Sequence, residues 1–187
     1  MIGVPGRNRV LYLVVCGAAV ASNVGRLVSF ARRDGWQVCV VSSPDGRKFL
    51  DVPAIAAQTG HPVRSFFKNP GEPDVLPAPD AVICAPATVN TVTKWAAGIA
   101  DTLALGLLVE GVGLGLPMVA VPYTNAAMAR HPAFGEAVER LRGWGVTMLY
   151  GEDVLTLHPP GSSDRHLDEF PWELPLRALY ARLTVEH

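Results

Sequence analysis

Charge and cysteine are both scarce in this sequence. Charged residues make up 18% of the 187, aromatic residues 7%, and cysteine occurs three times. Sixteen basic residues stand against 17 acidic ones, a formal net charge of -1. That balance lacks the electrostatic footprint of nucleic-acid or anionic-membrane binding. Cys16, Cys39 and Cys84 are odd in number and unpaired in spacing, which argues against a disulfide framework and a zinc site. They read as reduced, buried thiols. No histidine pair has the spacing of a helical metal site. Long apolar runs are missing too. The stretch 10–24 is interrupted by Gly17, Ser22 and Asn23 and falls short of the ~20 residues of a membrane span. A signal peptide is a minor alternative, because Arg7 and Arg9 precede that stretch. The reading adopted is a cytoplasmic protein in which the stretch is a strand feeding a helix. A complete G-x-G-x-x-G and a G-x-x-x-x-G-K-[ST] are both missing, which argues against a dinucleotide fingerprint and a P-loop.

What is present is an alternation. Apolar runs at 10–16, 38–41, 81–84, 118–121 and 146–150 have strand length, and 63–65 reads as a brief further strand. Amphipathic stretches at 23–34, 53–59, 91–97, 103–109, 134–144 and 174–185 read as helices. Gly35 and Gly145 close two of them, as glycine does after a helix. Runs that are apolar throughout mark strands covered on both faces. Strand–helix alternation then implies an α/β Rossmann-like three-layer sandwich, with a parallel sheet and helices on both faces. Residues 1–150 read as the α/β domain. Residues 151–187 read as a loop or substrate flap, rich in proline and glycine, and a C-terminal helix packed on the same domain.

Such sheets bind ligands beyond the carboxyl ends of their strands, so the segments after each strand matter most. After the first comes Cys16-Gly17-Ala18-Ala19-Val20-Ala21-Ser22-Asn23, small enough for close ligand approach and polar where a helix begins; a tight turn with a helix cap is the plainer alternative. After the second, Ser42, Ser43, Arg47, Lys48 and Phe49 offer hydroxyls, cations and a ring. After the third, Pro86-Ala87-Thr88-Val89-Asn90-Thr91-Val92-Thr93 is polar directly behind a buried strand. After the fourth, Pro122-Tyr123-Thr124-Asn125 leads to Met128 and His131.

The third segment resembles the PASANT motif of the flavin-dependent cysteine decarboxylases, a family that acts on phosphopantothenoylcysteine or on C-terminal cysteines of ribosomal peptides. Pro86, Ala87, Asn90 and Thr91 match it, and Thr88 stands for its serine. Gly98-Ile99-Ala100-Asp101, followed by Leu103, also fits, and the likeness runs from about residue 10 to 150. The resemblance implies FMN as cofactor. Gly17, Ala18, Ser22 and Asn23 would lie by its phosphate side, Ser43 and Phe49 would flank the flavin, and Ala87, Thr88, Asn90 and Thr91 would complete the cradle. It implies a homotrimer or homododecamer with FMN at subunit contacts. It also implies a reaction in which flavin takes a hydride equivalent from the thiol-bearing carbon before carbon dioxide leaves.

Two departures from the family pattern bear on activity. In the motif P-x-M-N-x-x-M-W, this chain keeps Pro122, Asn125 and Met128 but has Thr124 and Ala129 at the first Met and the Trp. Asn125 would hold the substrate carboxylate, with Tyr123 and Met128 beside the substrate. At the place of the family's active-site histidine stands Glu72, or Asp74 if the intervening prolines shift the register; either is a candidate base if burial raises its pKa, and a solvated loop acid is the alternative. The leading expectation is oxidative decarboxylation of a cysteine-derived carboxylate, a C-terminal peptidyl cysteine ahead of phosphopantothenoylcysteine. A flavin prenyltransferase-like enzyme and a non-catalytic FMN-binding regulator are the alternatives.

Overall fold

The computed structural model describes residues 9–151 and 153–185. Five strands, β1 (Val10–Val15), β2 (Gln37–Ser42), β3 (Ala81–Ala87), β4 (Met118–Pro122) and β5 (Thr147–Met148), form one sheet. Their order is β2-β1-β3-β4-β5, and every pairing is parallel. The strand order reverses between β1 and β3, which puts a ligand-binding crevice beyond their carboxyl ends.

Alternate residues serve alternate faces. Leu11, Leu13 and Val15 of β1 join Ile83 and Val121 in one core. Helices α1 (Gly25–Arg33), α2 (Val52–Thr59) and α7 (Leu174–Val185) supply its cover through Leu27, Val28, Ile55, Leu176 and Leu179. Val10, Tyr12, Val14 and Cys16 belong to the second core. There the cover is α3 (Val89–Ala96), α4 (Leu103–Gly113) and α6 (Pro132–Gly143), through Val92, Trp95, Leu105, Leu108, Phe134 and Leu141. The three-layer α/β sandwich expected from the runs is the fold observed. The three cysteines are free and buried.

Local chemistry sets the helix boundaries. Asp51 caps α2 by accepting from the Ala54 amide, Thr88 caps α3 by accepting from Thr91, and Thr102 caps α4 by accepting from Leu105. The cap on Thr88 starts α3 earlier than the apolar pattern suggests. Helix α4 continues past the expected end to Gly113, and at Gly111 it lies close to Met118, whose Cε would be 2.9 Å from an added Cβ. The segment 63–65 makes a single bridge, Arg64 beside Val41, at the outer edge of β2. His131 caps α6, its Nδ1 accepting from the Ala133 amide at 3.2 Å.

Leu108 is fully buried and Leu114 is 67% exposed. Leu108→Ala is therefore expected to cost about 2–5 kcal/mol, through lost burial and a residual cavity. Leu114→Ala should stay within about 0.5 kcal/mol of the parent. Urea unfolding of both variants checks the contrast.

Candidate functional site at the carboxyl ends of β1 to β4

The strand ends surround a cavity of about 670 Å³, within the range of pockets that hold cofactor-sized ligands. Its wall is built in sequence order. Gly17, Ala18 and Ala19 follow β1, and Ser43, Asp45 and Phe49 come from the turn after β2. Thr88, Val89, Asn90, Thr91 and Lys94 open α3, and Tyr123, Thr124, Asn125 and Met128 follow β4. His158, Gly161 and Ser163 come from the segment before α7.

The floor is tight. An added Cβ on Gly46 would lie 2.4 Å from the Val15 carbonyl oxygen and 3.1 Å from the Cys16 carbonyl carbon. On Gly17 it would lie 2.9 Å from the Asp45 Cβ. The two loops therefore close on each other only because these positions have no side chain. The Ser43 amide donates to the Val15 carbonyl at 2.9 Å, and the Gly46 amide donates to Ser43 Oγ at 2.9 Å. The Cys16 amide donates to the Pro86 carbonyl at 3.1 Å, and Tyr123 N to the Ala87 carbonyl at 2.9 Å. Four strand ends are thus laced together below the cavity.

Under the α3 terminus lie two buried thiols, Cys16 and Cys84, with their sulfurs 3.9 Å apart. Its bond to Cys16 and its burial push the Cys84 thiol well up. Bonds from Cys84, Thr91 and Thr88 draw Cys16 down against the opposing effect of burial. At α3 itself, Thr88 Oγ1 takes the Thr91 amide at 3.3 Å and contacts Thr91 Oγ1 at 3.1 Å. The first-turn amides of Val89 and Asn90 have no intrahelical acceptor, and both residues line the cavity. A helix start of this kind suits an anion. Lys94 adds a cation to the wall, bonded to Asp101 at 2.6 Å.

On the opposite wall Asn125 caps the short helix α5 (Ala126–Ala129): its Oδ1 accepts from the amides of Ala127 at 3.0 Å and Met128 at 2.9 Å. Its Nδ2 donors are left without a partner among the described residues. Tyr123 is buried, its hydroxyl donating to the Ser163 carbonyl at 2.8 Å. The backbone after β4 bridges to His158, the Ala126 amide donating to the His158 carbonyl at 2.9 Å.

Most of the residues expected from sequence meet at this wall: Gly17, Ala18, Ser43, Phe49, Thr88, Asn90, Thr91, Tyr123, Asn125 and Met128. Four do not. Residues Ala19–Asn23 coil into a 3₁₀ turn, so the wall ends at Ala19; Ser22 is exposed with its hydroxyl donating to the Ala19 carbonyl, and Asn23 lies beyond. Ala87 is fully buried and packs with Cys16 and Cys84 in the second core. Glu72 sits in an exposed loop and is not among the residues that line this cavity. Hydrogen bonds from the Asn69 side chain and amide hold its carboxyl below the usual glutamate range, the opposite of the raised pKa that a neutral-pH base needs.

The segment read from sequence as a loop or flap supplies part of the wall, although none of its residues was assigned to the site. His158, Gly161 and Ser163 lie in a stretch without periodicity, and His158 reaches the cavity through one isolated bridge that no pattern marks. Thr102, also in the wall, carried a readable signal: it is a threonine directly before an apolar helix.

A family model described as Flavoprotein matches residues 5–164. Among curated proteins, the coenzyme A biosynthesis bifunctional protein CoaBC of Thermococcus kodakarensis is 29% identical over 146 residues, 74% of this chain but only 36% of that protein. The chain thus spans about a third of that relative's length. The phosphopantothenoylcysteine decarboxylase of Mus musculus is 28% identical over 152 residues, 76% of this chain and 74% of that protein. Among solved structures, the FMN-dependent cysteine decarboxylase SpaF superposes with a TM-score of 0.66 at 28% identity, covering 76% of this chain and 83% of that one.

The floor geometry predicts that Gly46→Ala costs about 1–3 kcal/mol, because the new methyl group meets backbone that has little room to retreat. Urea denaturation checks this; an unchanged midpoint would mean the turn after β2 relaxes freely.

Proposed function

This chain belongs to the flavoprotein family, and from that membership we propose that it binds FMN and oxidatively decarboxylates a cysteine-derived carboxylate. One observation carries the reading. Small and hydroxylic residues from successive strand ends, together with the free amides of a helix start, line one cavity of about 670 Å³. Gly17 and Ala18 present little but backbone, so a planar ligand can approach closely. Thr88, Asn90 and Thr91 at the α3 terminus would hold the phosphate or the polar ring edge of FMN, with Ser43 and Phe49 flanking the ring system. The donor set fits a phosphorylated flavin in size and in charge. Bound flavin supplies the two-electron oxidation that makes loss of carbon dioxide possible.

The chain's own contribution is to hold the substrate. Asn125 has its oxygen committed to the helix cap and its amide protons without a partner among the described residues, which suits a carboxylate acceptor. Tyr123 and Met128 stand on the same wall. A C-terminal peptidyl cysteine is favoured over phosphopantothenoylcysteine, because Thr124 and Ala129 remove the bulk expected at those positions. The same reading carries a homotrimer or homododecamer in the cytoplasm. Phe66 and Phe67, each 60% exposed, offer apolar surface for such an assembly. No helix of the described residues is long and apolar enough to cross a membrane.

The purified protein is expected to be yellow and to release FMN on denaturation. A colourless protein that takes up no FMN would overturn the cofactor. Asn125→Asp preserves the cap acceptor but replaces the amide donors with a like charge. It should retain FMN while turnover of a cysteine-terminated peptide falls about tenfold to a hundredfold or more. Carbon dioxide release measured on both proteins decides it.

A further inference from the structure

We propose that His158 is a catalytic residue of this site: its Nε2 takes the thiol proton of the bound cysteine. The inference rests on the decarboxylase reading above. It assigns to the C-terminal segment an imidazole that the Glu72 loop does not supply.

The geometry is specific to this residue. His158 is buried, 6% exposed, and lines the cavity on the side of Asn125 and Tyr123. Its backbone is fixed by the bridge to Asn125. The Tyr123 ring packs against its imidazole with centroids 5.1 Å apart, and His166 stacks on it at 5.9 Å and 17°. Its Nδ1 is 2.9 Å from the Pro159 carbonyl oxygen. A carbonyl can only accept, so Nδ1 carries a proton, and in the neutral ring the lone pair is left on Nε2. Nε2 has no hydrogen-bond partner among the described residues. The ring is therefore held by its surroundings and set in one tautomer, with its free acceptor atom the only polar atom it can offer an occupant.

The other described histidines are committed elsewhere. His61 Nε2 is bonded to Gln37, His131 Nδ1 caps α6, and His166 Nδ1 is 2.9 Å from Glu169 Oε1. None of them lines the cavity.

The step balances without a further reactant. The substrate S–H bond breaks, its electron pair stays on sulfur, and the proton forms the Nε2–H bond of an imidazolium whose Nδ1–H still donates to Pro159. The same proton returns to sulfur when the product departs. Beside a carboxylate held by Asn125, the arrangement selects a substrate with a thiol one carbon away from its carboxylate-bearing carbon.

Two measurements on the FMN-loaded protein test this. In the first, His158→Gln and His158→Phe are compared with the parent. FMN content should be unchanged and KM should stay within about threefold, while kcat falls about 10²–10⁴-fold; exogenous imidazole should restore part of it in His158→Ala. A kcat within threefold of the parent in His158→Gln overturns the assignment and leaves the decarboxylase reading standing. The second needs no variant. Nitrogen-15 NMR of the parent should show the Nδ1–H tautomer at His158, and Nε2 should gain a proton when a cysteine-terminated peptide binds but not a serine-terminated one. An unchanged Nε2 signal with peptide bound overturns the proposal. Nε2 protonation without carbon dioxide release sinks the decarboxylase reading but keeps His158 as the thiol's proton acceptor.

Discussion

Both faces of the sheet are covered, and that constraint decides where chemistry can happen. The strands are apolar on each side and packed under helices, so an unpaired polar group within the sheet would lose hydration without compensation. Polar side chains can gather only where strands end. At the carboxyl ends of β1 and β3 the order of the sheet reverses, and the chain leaves in opposite directions around a gap. The cavity is the consequence of that topology, and the residues around it are free to be chosen for a ligand.

The gap is kept in shape by close backbone contact. Gly17 and Gly46 allow the loops after β1 and β2 to meet at distances no side chain would permit. Amide-to-carbonyl bonds from Ser43 to Val15 and from Cys16 to Pro86 hold those ends in register. The Cys16–Cys84 contact lies one layer beneath, both thiols buried completely. The amides of Cys16, Ser43, Gly46 and Tyr123 and the two thiols find their partners inside the protein. The donors left over, at the start of α3 and on Asn125, belong to the layer above and are the ones available to a ligand.

How much of this was legible follows from how each part is encoded. Buried parallel strands write themselves as continuous apolar runs, so β1 and β3 could be placed from sequence within a few residues. The wall residues that follow a strand immediately, such as Gly17, Ser43 and Thr88, were legible because the topology fixes where a strand end points. Ser22 and Asn23 lie outside the cavity wall because the 3₁₀ turn at Ala19–Asn23 consumes the residues between strand and helix. Ala87 was assigned to the cradle through the motif it matches, yet it is still in β3 and its side chain packs in the core. Glu72 was located by counting, and counting carries no information about a loop whose hydrogen bonds are its own, as those with Asn69 are.

The C-terminal segment shows why a non-local contact escapes a reading by periodicity. Residues 153–173 are anchored at both ends by features of different kinds. At one end a single bridge joins His158 to Asn125, and the Tyr123 hydroxyl holds the Ser163 carbonyl. At the other, Phe170, Trp172, Leu176 and Leu179 enter the first core, each burial favouring the docked state by about 1.5–3 kcal/mol. One bridge and one hydroxyl bond, at about 0.5–1.5 kcal/mol each, are weak beside that apolar anchor. The aromatic and leucine side chains near α7 therefore set where the segment lies, and the polar contacts set how it is oriented over the cavity. A site wall that depends on an anchor far along the chain has no local signature, although the anchor itself, an apolar helix at the end of the sequence, was plain to read.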